Sequence, residues 1–293
     1  MSLTLASPPG LVTDCLESSA VDGPGNRFVV FLQGCGFDCL ACHNPYTINP
    51  CDDCGACLPA CTSGALSFDA DGRVRWDADR CVGTEACLAA CPRDSTPKAR
   101  TLAVTALLER VSPVAPFLSG VTVSGGEASR QALFVRAFFT ALRADPGLAR
   151  LTRFLDTNGD MHLPVWQVLE PSLDAAMVDL KCLDNDLHRV LTGADNDRVL
   201  RSIRLFAERG KLYEVRLLLM AGLNDGDDLL ARTGAWLAGV DPRMRVKLIG
   251  YRAHGVRPRR AGTGPDLREP DGEQRAHYAD VLRREGDFEL VVV

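Results

Sequence analysis

The sequence predicts an α/β fold: parallel strands in an open, partial (β/α)6 barrel, with a small cysteine-rich module inserted after the first strand. Three observations lead there. After residue 100, short β-rich runs alternate with amphipathic helical stretches, the rhythm of a parallel sheet. Each run ends in a polar motif, as the strands of barrel enzymes do at the mouth that carries their chemistry. Seven of the twelve cysteines fall within residues 48–98, a loop-rich segment with too few apolar residues for a core of its own.

The elements follow in order. Phe28-Val-Val-Phe-Leu-Gln supplies the first strand and is followed by Cys35, Cys39 and Cys42. Val121-Thr-Val-Ser ends in Gly125-Gly126-Glu127, and Thr152-Arg-Phe-Leu in Asp156-Thr157-Asn-Gly. Ala175-Ala-Met-Val-Asp leads into Asp179-Leu-Lys181, Glu214-Val-Arg-Leu-Leu-Leu contains Arg216, and Arg245-Val-Lys-Leu-Ile-Gly precedes Tyr251-Arg252-Ala-His254. β-branched and apolar runs of this length read as strands. Val104/Leu107/Leu108/Val111 and Val199/Ile203/Phe206 recur at helical spacing. Phe288-Glu-Leu-Val-Val-Val is a candidate closing strand. Six βα units are too few to close an eight-stranded barrel, so the sheet stays open. The domains expected are 1–47 with 99–293 as the barrel, and 48–98 as the inserted module.

Composition narrows the function. The 293 residues are 46% hydrophobic with a net charge of −5, so no general basic footprint for nucleic acid exists. No apolar run reaches the length of a membrane span and the start lacks a leader pattern, which leads us to expect a cytoplasmic protein. Ten of the twelve cysteines lie between Cys35 and Cys91. In a reducing compartment, such clustering suits metal or redox chemistry better than disulfides. The isolated Cys15 and Cys182 read as small buried apolar side chains.

Cys35-x3-Cys39-x2-Cys42 can bind three irons of a four-iron, four-sulfur (4Fe-4S) cluster and leave the fourth without a protein ligand. A structural zinc site would instead want four ligands. Cys51-x2-Cys54-x2-Cys57-x3-Cys61 matches the ferredoxin run, and Cys81-x5-Cys87-x3-Cys91-Pro92 looks like its partner. In two-cluster modules the fourth cysteine of each run serves the other cluster. That pattern gives one complete set, Cys51, Cys54, Cys57 and Cys91, for a further 4Fe-4S cluster. It gives an incomplete set as well, Cys61, Cys81 and Cys87, with Thr84 where a fourth cysteine is expected. The second cluster is therefore of altered type: three-iron, four-iron completed by Glu85 or water, or none. Paired zinc ribbons are the alternative, less suited to this spacing.

Taken together, the motifs resemble a known family. Val21-Asp-Gly-Pro-Gly-Asn-Arg, Phe31-Leu-Gln-Gly-Cys and Cys42-His-Asn-Pro look like the opening of the glycyl radical enzyme activating enzymes, within the radical S-adenosylmethionine (SAM) superfamily. Thr122-Val-Ser-Gly-Gly-Glu, Leu155-Asp-Thr-Asn-Gly, Met177-Val-Asp-Leu-Lys and Arg216-Leu-Leu-Leu-Met-Ala-Gly-Leu-Asn-Asp repeat further signatures in order, across residues 20–255. The inserted module, with Tyr251-Arg-x-His-Gly, is most similar to the YjjW-type branch. The resemblance implies reductive cleavage of SAM at the Cys35/Cys39/Cys42 cluster. The resulting 5′-deoxyadenosyl radical would take hydrogen from a glycine of a partner glycyl radical enzyme. It also implies reduced flavodoxin or ferredoxin as electron donor, a monomer, and no catalytic residues beyond the cluster and SAM ligands.

The same resemblance implies the pocket. Gly125 and Gly126 would let the backbone approach the methionyl amine, and Glu127 would accept its hydrogen bond. Lys181 would meet the methionyl carboxylate and Asp179 the ribose, with Asp156 and Arg216 alongside. A monovalent cation would sit at Asp156, Thr157, Met177 and Asp179. Met177 as plain core and Arg216 as an interior ion pair are the alternatives. Related activases have Tyr-His after the sixth strand. The departure here leaves the adenosyl contact to Arg252, by stacking, or to His254. His43 and Asn44 read as loop caps or as site residues. The acid-free run from Arg243 to Arg260 reads as a solvated face or a docking surface for an acidic partner. Two other readings remain: a radical SAM enzyme that modifies another protein residue or a small molecule, and a ferredoxin-like electron carrier.

Overall fold

A computed structural model describes residues 8–256 and 265–293, and the chain forms two compact units, Met1–Cys35 with Asn44–Leu151 and Gly36–His43 with Thr152–Val293. The first unit opens with β1 (Gly10–Ser19) and β2 (Arg27–Leu32), paired antiparallel. The inserted segment contributes a short hairpin of β3 (Leu66–Phe68) and β4 (Val74–Trp76) and the single turn α1 (Ala86–Ala89). Then come β5 (Arg100–Leu102), α2 (Val104–Val111), β6 (Gly120–Gly125) and α3 (Ala132–Ala144).

The strand order in this unit is β5-β1-β2-β6, with only β2 and β6 parallel. Phe28, Val29 and Val30 are wholly buried, as expected of a strand covered on both faces. Helix α3 buries Phe134, Val135, Phe138, Phe139 and Leu142, one apolar stripe at helical period. The helix stops at Asp145, ahead of Pro146. Arg27 is fully buried yet satisfied, donating to Thr122 Oγ1 at 2.7 Å, Val121 O at 2.8 Å and Pro24 O at 3.2 Å. This ties the Asp22-Gly-Pro-Gly loop to β6.

In the second unit, β7 (Thr152–Thr157) is followed by α4 (Leu163–Leu169), β8 (Ala175–Asp179), α5 (Asn185–Thr192) and α6 (Asp197–Glu208). Next are β9 (Leu212–Leu219), α7 (Asp227–Val240), β10 (Arg245–Gly250), α8 (Gly272–Arg283) and β11 (Glu289–Val292). All five strands are parallel, in the order β7-β8-β9-β10-β11. The six strands expected of the βα units are thus β2, β6, β7, β8, β9 and β10, and the closing strand is β11.

Four strands escape the sequence reading: the β3–β4 hairpin of the insertion, and β1 and β5. β1 carries exposed or half-exposed Thr13, Asp14 and Glu17 and pairs antiparallel, outside any βα rhythm; β5 has three residues. The insertion is closed at its neck by an isolated bridge between Asn49 and Ser95. Asn49 Nδ2 donates to Arg93 O at 2.9 Å, and Ser95 Oγ to Asn49 O at 2.5 Å. Inside, Cys57, Leu66 and Cys87 form a small buried cluster. Among the described residues no helix is long and apolar enough to cross a membrane.

Candidate functional site

The first unit builds the approach to Cys35. Gln33, at the end of β2, is buried; its amide donates to Tyr46 O at 2.8 Å and Asn49 O at 2.7 Å, and its oxygen accepts from Thr13 Oγ1 at 2.6 Å. Gly34 N–H then donates to Thr47 O and Cys35 N–H to Ile48 O, at 2.8 and 3.0 Å. Gly125 and Gly126 press β6 against this turn. A Cβ on Gly125 (φ +119°) would lie 2.2 Å from Leu32 N; one on Gly126 would lie 2.6 Å from Gly34 O and 2.7 Å from Thr47 O. No other residue fits either place. Glu127 is buried, and its Oε1 accepts from Ser129 N at 3.0 Å and Ser129 Oγ at 2.5 Å.

The second unit carries Cys39 and Cys42. The end of α5 holds their loop: Thr192 O accepts from Asp38 N–H and Leu191 O from Leu40 N–H, both at 2.9 Å. Beneath it Phe37 meets the edge of His188, ring centroids 5.5 Å apart. Lys181, just past β8, donates to Asp179 Oδ2 at 2.8 Å. Burial works against the Lys181 ammonium, but Asp179 and the thiols of Cys39 and Cys42 outweigh it and raise its pKa above the ordinary lysine value. The ammonium is therefore charged and within electrostatic reach of two of the three cysteines.

Register across the strands gathers the remaining polar residues. Asp156 on β7 stands opposite Met177 on β8, and Asp179 opposite Arg216 on β9. Arg216 Nη1 donates to Asp156 Oδ1 at 3.0 Å, Nη2 to Met177 Sδ at 2.9 Å and Nε to Glu214 Oε1 at 2.6 Å. Burial disfavours its charge, but Asp156, Asp179 and Glu214 more than compensate and push its pKa upward. Arg216 is thus an interior ion pair and a neighbour of three expected site residues at once. A guanidinium occupies the contacts of Asp156 and Met177. Thr157 is buried and its Oγ1 accepts from Gly159 N–H at 3.0 Å.

Glu214 was not among the expected residues, although it lies two positions before Arg216 and so on the same face of the strand. It also takes Arg245 Nε at 3.2 Å, and Arg245 reaches Glu289. The run from Arg243 to Arg260 is therefore not a wholly solvated face, and its residues 257–260 lie outside the described residues. Asn224 is a second unanticipated clamp. Its Nδ2 donates to Lys181 O at 3.2 Å and Leu218 O at 2.8 Å, and its Oδ1 accepts from Met220 N–H at 2.8 Å. Gly222 N–H donates to Asp225 Oδ1 at 2.9 Å, closing the Gly-x-x-Asp turn. Arg252 and His254 are both exposed; the Arg252 carbonyl lies 3.0 Å from His43 Nε2. Cys15 and Cys182 are buried, and burial pushes both thiols up to about 11, as inert core cysteines require.

In the insertion, burial raises the Cys51 thiol, with Cys91 adding to the effect; Cys57 is pushed up to about 11 by burial and by Cys51, Cys87 and Cys91. Cys91 of the second run thus lies beside members of the first. On the other side the Ser63 hydroxyl lowers Cys61 and the Gly83 N–H lowers Cys81, against which Cys61 acts in the opposite sense. Burial raises Cys87, with Cys81 beside it and Lys98 pulling the other way. Among the described residues no three His, Cys, Asp or Glu side chains gather around a single metal ion; a cubane distributes its thiolates over separate irons.

A radical SAM superfamily profile matches residues 29–233. The isethionate sulfite-lyase activating enzyme of Desulfovibrio desulfuricans is 28% identical over 268 residues, covering 84% of each chain. The pyruvate formate-lyase 1-activating enzyme of Escherichia coli is 29% identical, covering 80% of this chain and 78% of its own. The indoleacetate decarboxylase activating enzyme of Tractidigestivibacter scatoligenes is 28% identical, with 94% and 95% covered. Among solved structures, QueE of Escherichia coli superposes with a TM-score of 0.55 at 12% identity, over 97% of this chain and 94% of that one. A radical SAM methyltransferase from Sphaerobacter thermophilus gives 0.56 at 16%, over 91% and 66%. At such identities these two likenesses bear on the fold alone. With most of its length matched by the superfamily profile and a mostly parallel α/β fold to carry it, the chain belongs to the radical SAM superfamily.

Proposed function

We propose that this chain is a glycyl radical enzyme activating enzyme that cleaves SAM reductively at a 4Fe-4S cluster held by Cys35, Cys39 and Cys42. The observation that carries the reading is Lys181: a charged ammonium fixed by Asp179 beside two of these cysteines, in a chain whose relatives are activating enzymes. The donor set fits the group, three thiols in an eight-residue loop with a cation next to them for a carboxylate. Bound there, the cluster, one electron from reduced flavodoxin or ferredoxin, and SAM supply the 5′-deoxyadenosyl radical that takes hydrogen from a glycine of the partner.

The protein's own residues bind and orient. Lys181 receives the methionyl carboxylate; Gly125, Gly126 and Glu127 hold the turn that offers backbone groups to the amine. Asp156, Asp179 and Arg216 set the charge around the ribose, and Arg252 or His254 covers the adenine. A monovalent cation at Asp156, Thr157, Met177 and Asp179 would compete with the Arg216 guanidinium for two of those contacts. Residues 48–98 are read as a ferredoxin-like module with one complete cysteine set, Cys51, Cys54, Cys57 and Cys91. The protein acts as a cytoplasmic monomer.

Anaerobic reduction of the reconstituted chain with SAM should yield 5′-deoxyadenosine. Mixing with a candidate glycyl radical enzyme should then give the doublet of a glycyl radical by electron paramagnetic resonance. Nucleoside without the doublet on any such partner would point to another target residue or a small molecule; no nucleoside at all would end the reading.

A further inference from the structure

The insertion repeats itself thirty positions on: Cys51 answers to Cys81, Cys57 to Cys87 and Cys61 to Cys91. The backbone repeats with it. Asp53 (φ 60°) matches Gly83 (73°), Gly55 (73°) matches Glu85 (55°), and Gly64 (64°) matches Asp94 (48°). Left-handed residues at three matching places show that the second loop keeps the conformation of the first. Glu85 holds it without being glycine. At the place of Cys54 this loop has Thr84. The loop is therefore built for four thiols and offers three.

What faces that corner is specific. Cys61, Cys81, Cys87, Thr84 and Glu85 line one cavity, and Cys81, Glu85, Trp76 and Lys98 are shared with a second cavity of about 350 Å³. The wall of the second carries Lys98, Arg100 and Arg110 against Asp14 and Glu85. Lys98 and Arg100 stand over the Trp76 indole, 6.0 and 4.7 Å from its centroid. The indole Nε1 is buried with no hydrogen-bond acceptor in bonding geometry, and Trp76 is among the groups that lower the Cys81 pKa. An excess of cations and an unpaired donor suit an anion. A threonine hydroxyl is a poor rival for iron beside thiolates.

We propose that Cys61, Cys81 and Cys87 hold a four-iron cluster whose iron on the Thr84 side takes a small anion from the adjoining cavity as its fourth ligand. The proposal rests on reading residues 48–98 as a cluster-binding module. Its test uses the full chain carrying Cys35→Ala, Cys39→Ala and Cys42→Ala, which removes the other three-thiolate site. Reduced anaerobically and titrated with isotopically labelled cyanide, this protein should show hyperfine coupling of the label to the cluster spin. Adding Thr84→Cys should abolish the coupling while iron stays at about eight atoms per chain, two four-iron clusters. Lys98→Gln should raise the cyanide concentration for half-saturation severalfold. Coupling that survives Thr84→Cys overturns the proposal, as does coupling that appears only once Glu85→Gln is added, since Glu85 is then the ligand. Failure of the module reading looks different: Cys61→Ala, Cys81→Ala and Cys87→Ala together would leave the iron content unchanged.

Discussion

Lys181 and Asp179 end a strand that is otherwise apolar, and a charged pair at that place is legible from sequence alone because burial of charge needs a reason. Their partners are less legible, since Arg216 stands opposite Asp179 on β9 and Asn224 reaches the Lys181 carbonyl from the turn after that strand. Replacing Lys181 by Met removes the cation beside Cys39 and Cys42 and with it the 2.8 Å ion pair to Asp179. SAM affinity, measured by titration against the cluster signal, should fall about tenfold or more, equal to about 1.4 kcal/mol, with iron content retained. His188 is a residue no sequence pattern singled out. It is wholly buried, neither ring nitrogen has a hydrogen-bond partner, and burial lowers its pKa. The folded chain thus resists protonation that the unfolded chain accepts. The associated loss of stability is absent above the unfolded value near 6.5 and grows as pH falls below it. In His188→Leu, melting temperatures should become less dependent on pH below about 6.5 and rise overall, because an orphaned buried polar group costs about 1–3 kcal/mol. An unchanged pH slope would clear His188 of that role.

At the scale of elements, the parallel strands were legible because each is an apolar run ending in a polar motif. β1 and β5 were not, for β1 sets its apolar and polar residues in pairs (Leu11-Val12, Thr13-Asp14, Cys15-Leu16) and not in strict alternation, and β5 has only three residues, so their pairing depends on partners far along the chain. The Gly125-Gly126 pair shows the same limit. Its presence marks a turn, but the surface it presses on, Leu32, Gly34 and Thr47, is set by tertiary packing. Gly126→Ala would bring a Cβ within 2.6 Å of the Gly34 carbonyl, next to Cys35. The end of β2 must then move. The expected result is a lowered melting temperature together with loss of iron from the Cys35/Cys39/Cys42 site, and no loss from the insertion. Iron lost equally from both would mean general unfolding instead.

For the whole molecule, the two kinds of stability differ in origin. The strands and helices beyond residue 100 bury long apolar side chains, such as Phe138, Phe139, Phe206 and Trp166, and need no metal to do so. The insertion buries only a few residues around Cys57, Leu66 and Cys87, two of the three being thiols. On the proposed reading of residues 48–98 as a cluster-binding module, the segment draws its folding free energy from metal. Removing the clusters with a chelator under reducing, anaerobic conditions should therefore raise hydrogen exchange throughout 51–91 while β7 to β10 keep their protection. Limited proteolysis should cut the apoprotein within the insertion and leave the remainder intact. Equal protection of the insertion with and without iron would show that the Asn49–Ser95 neck and the β3–β4 hairpin suffice to fold it, and the cysteines would then need another account.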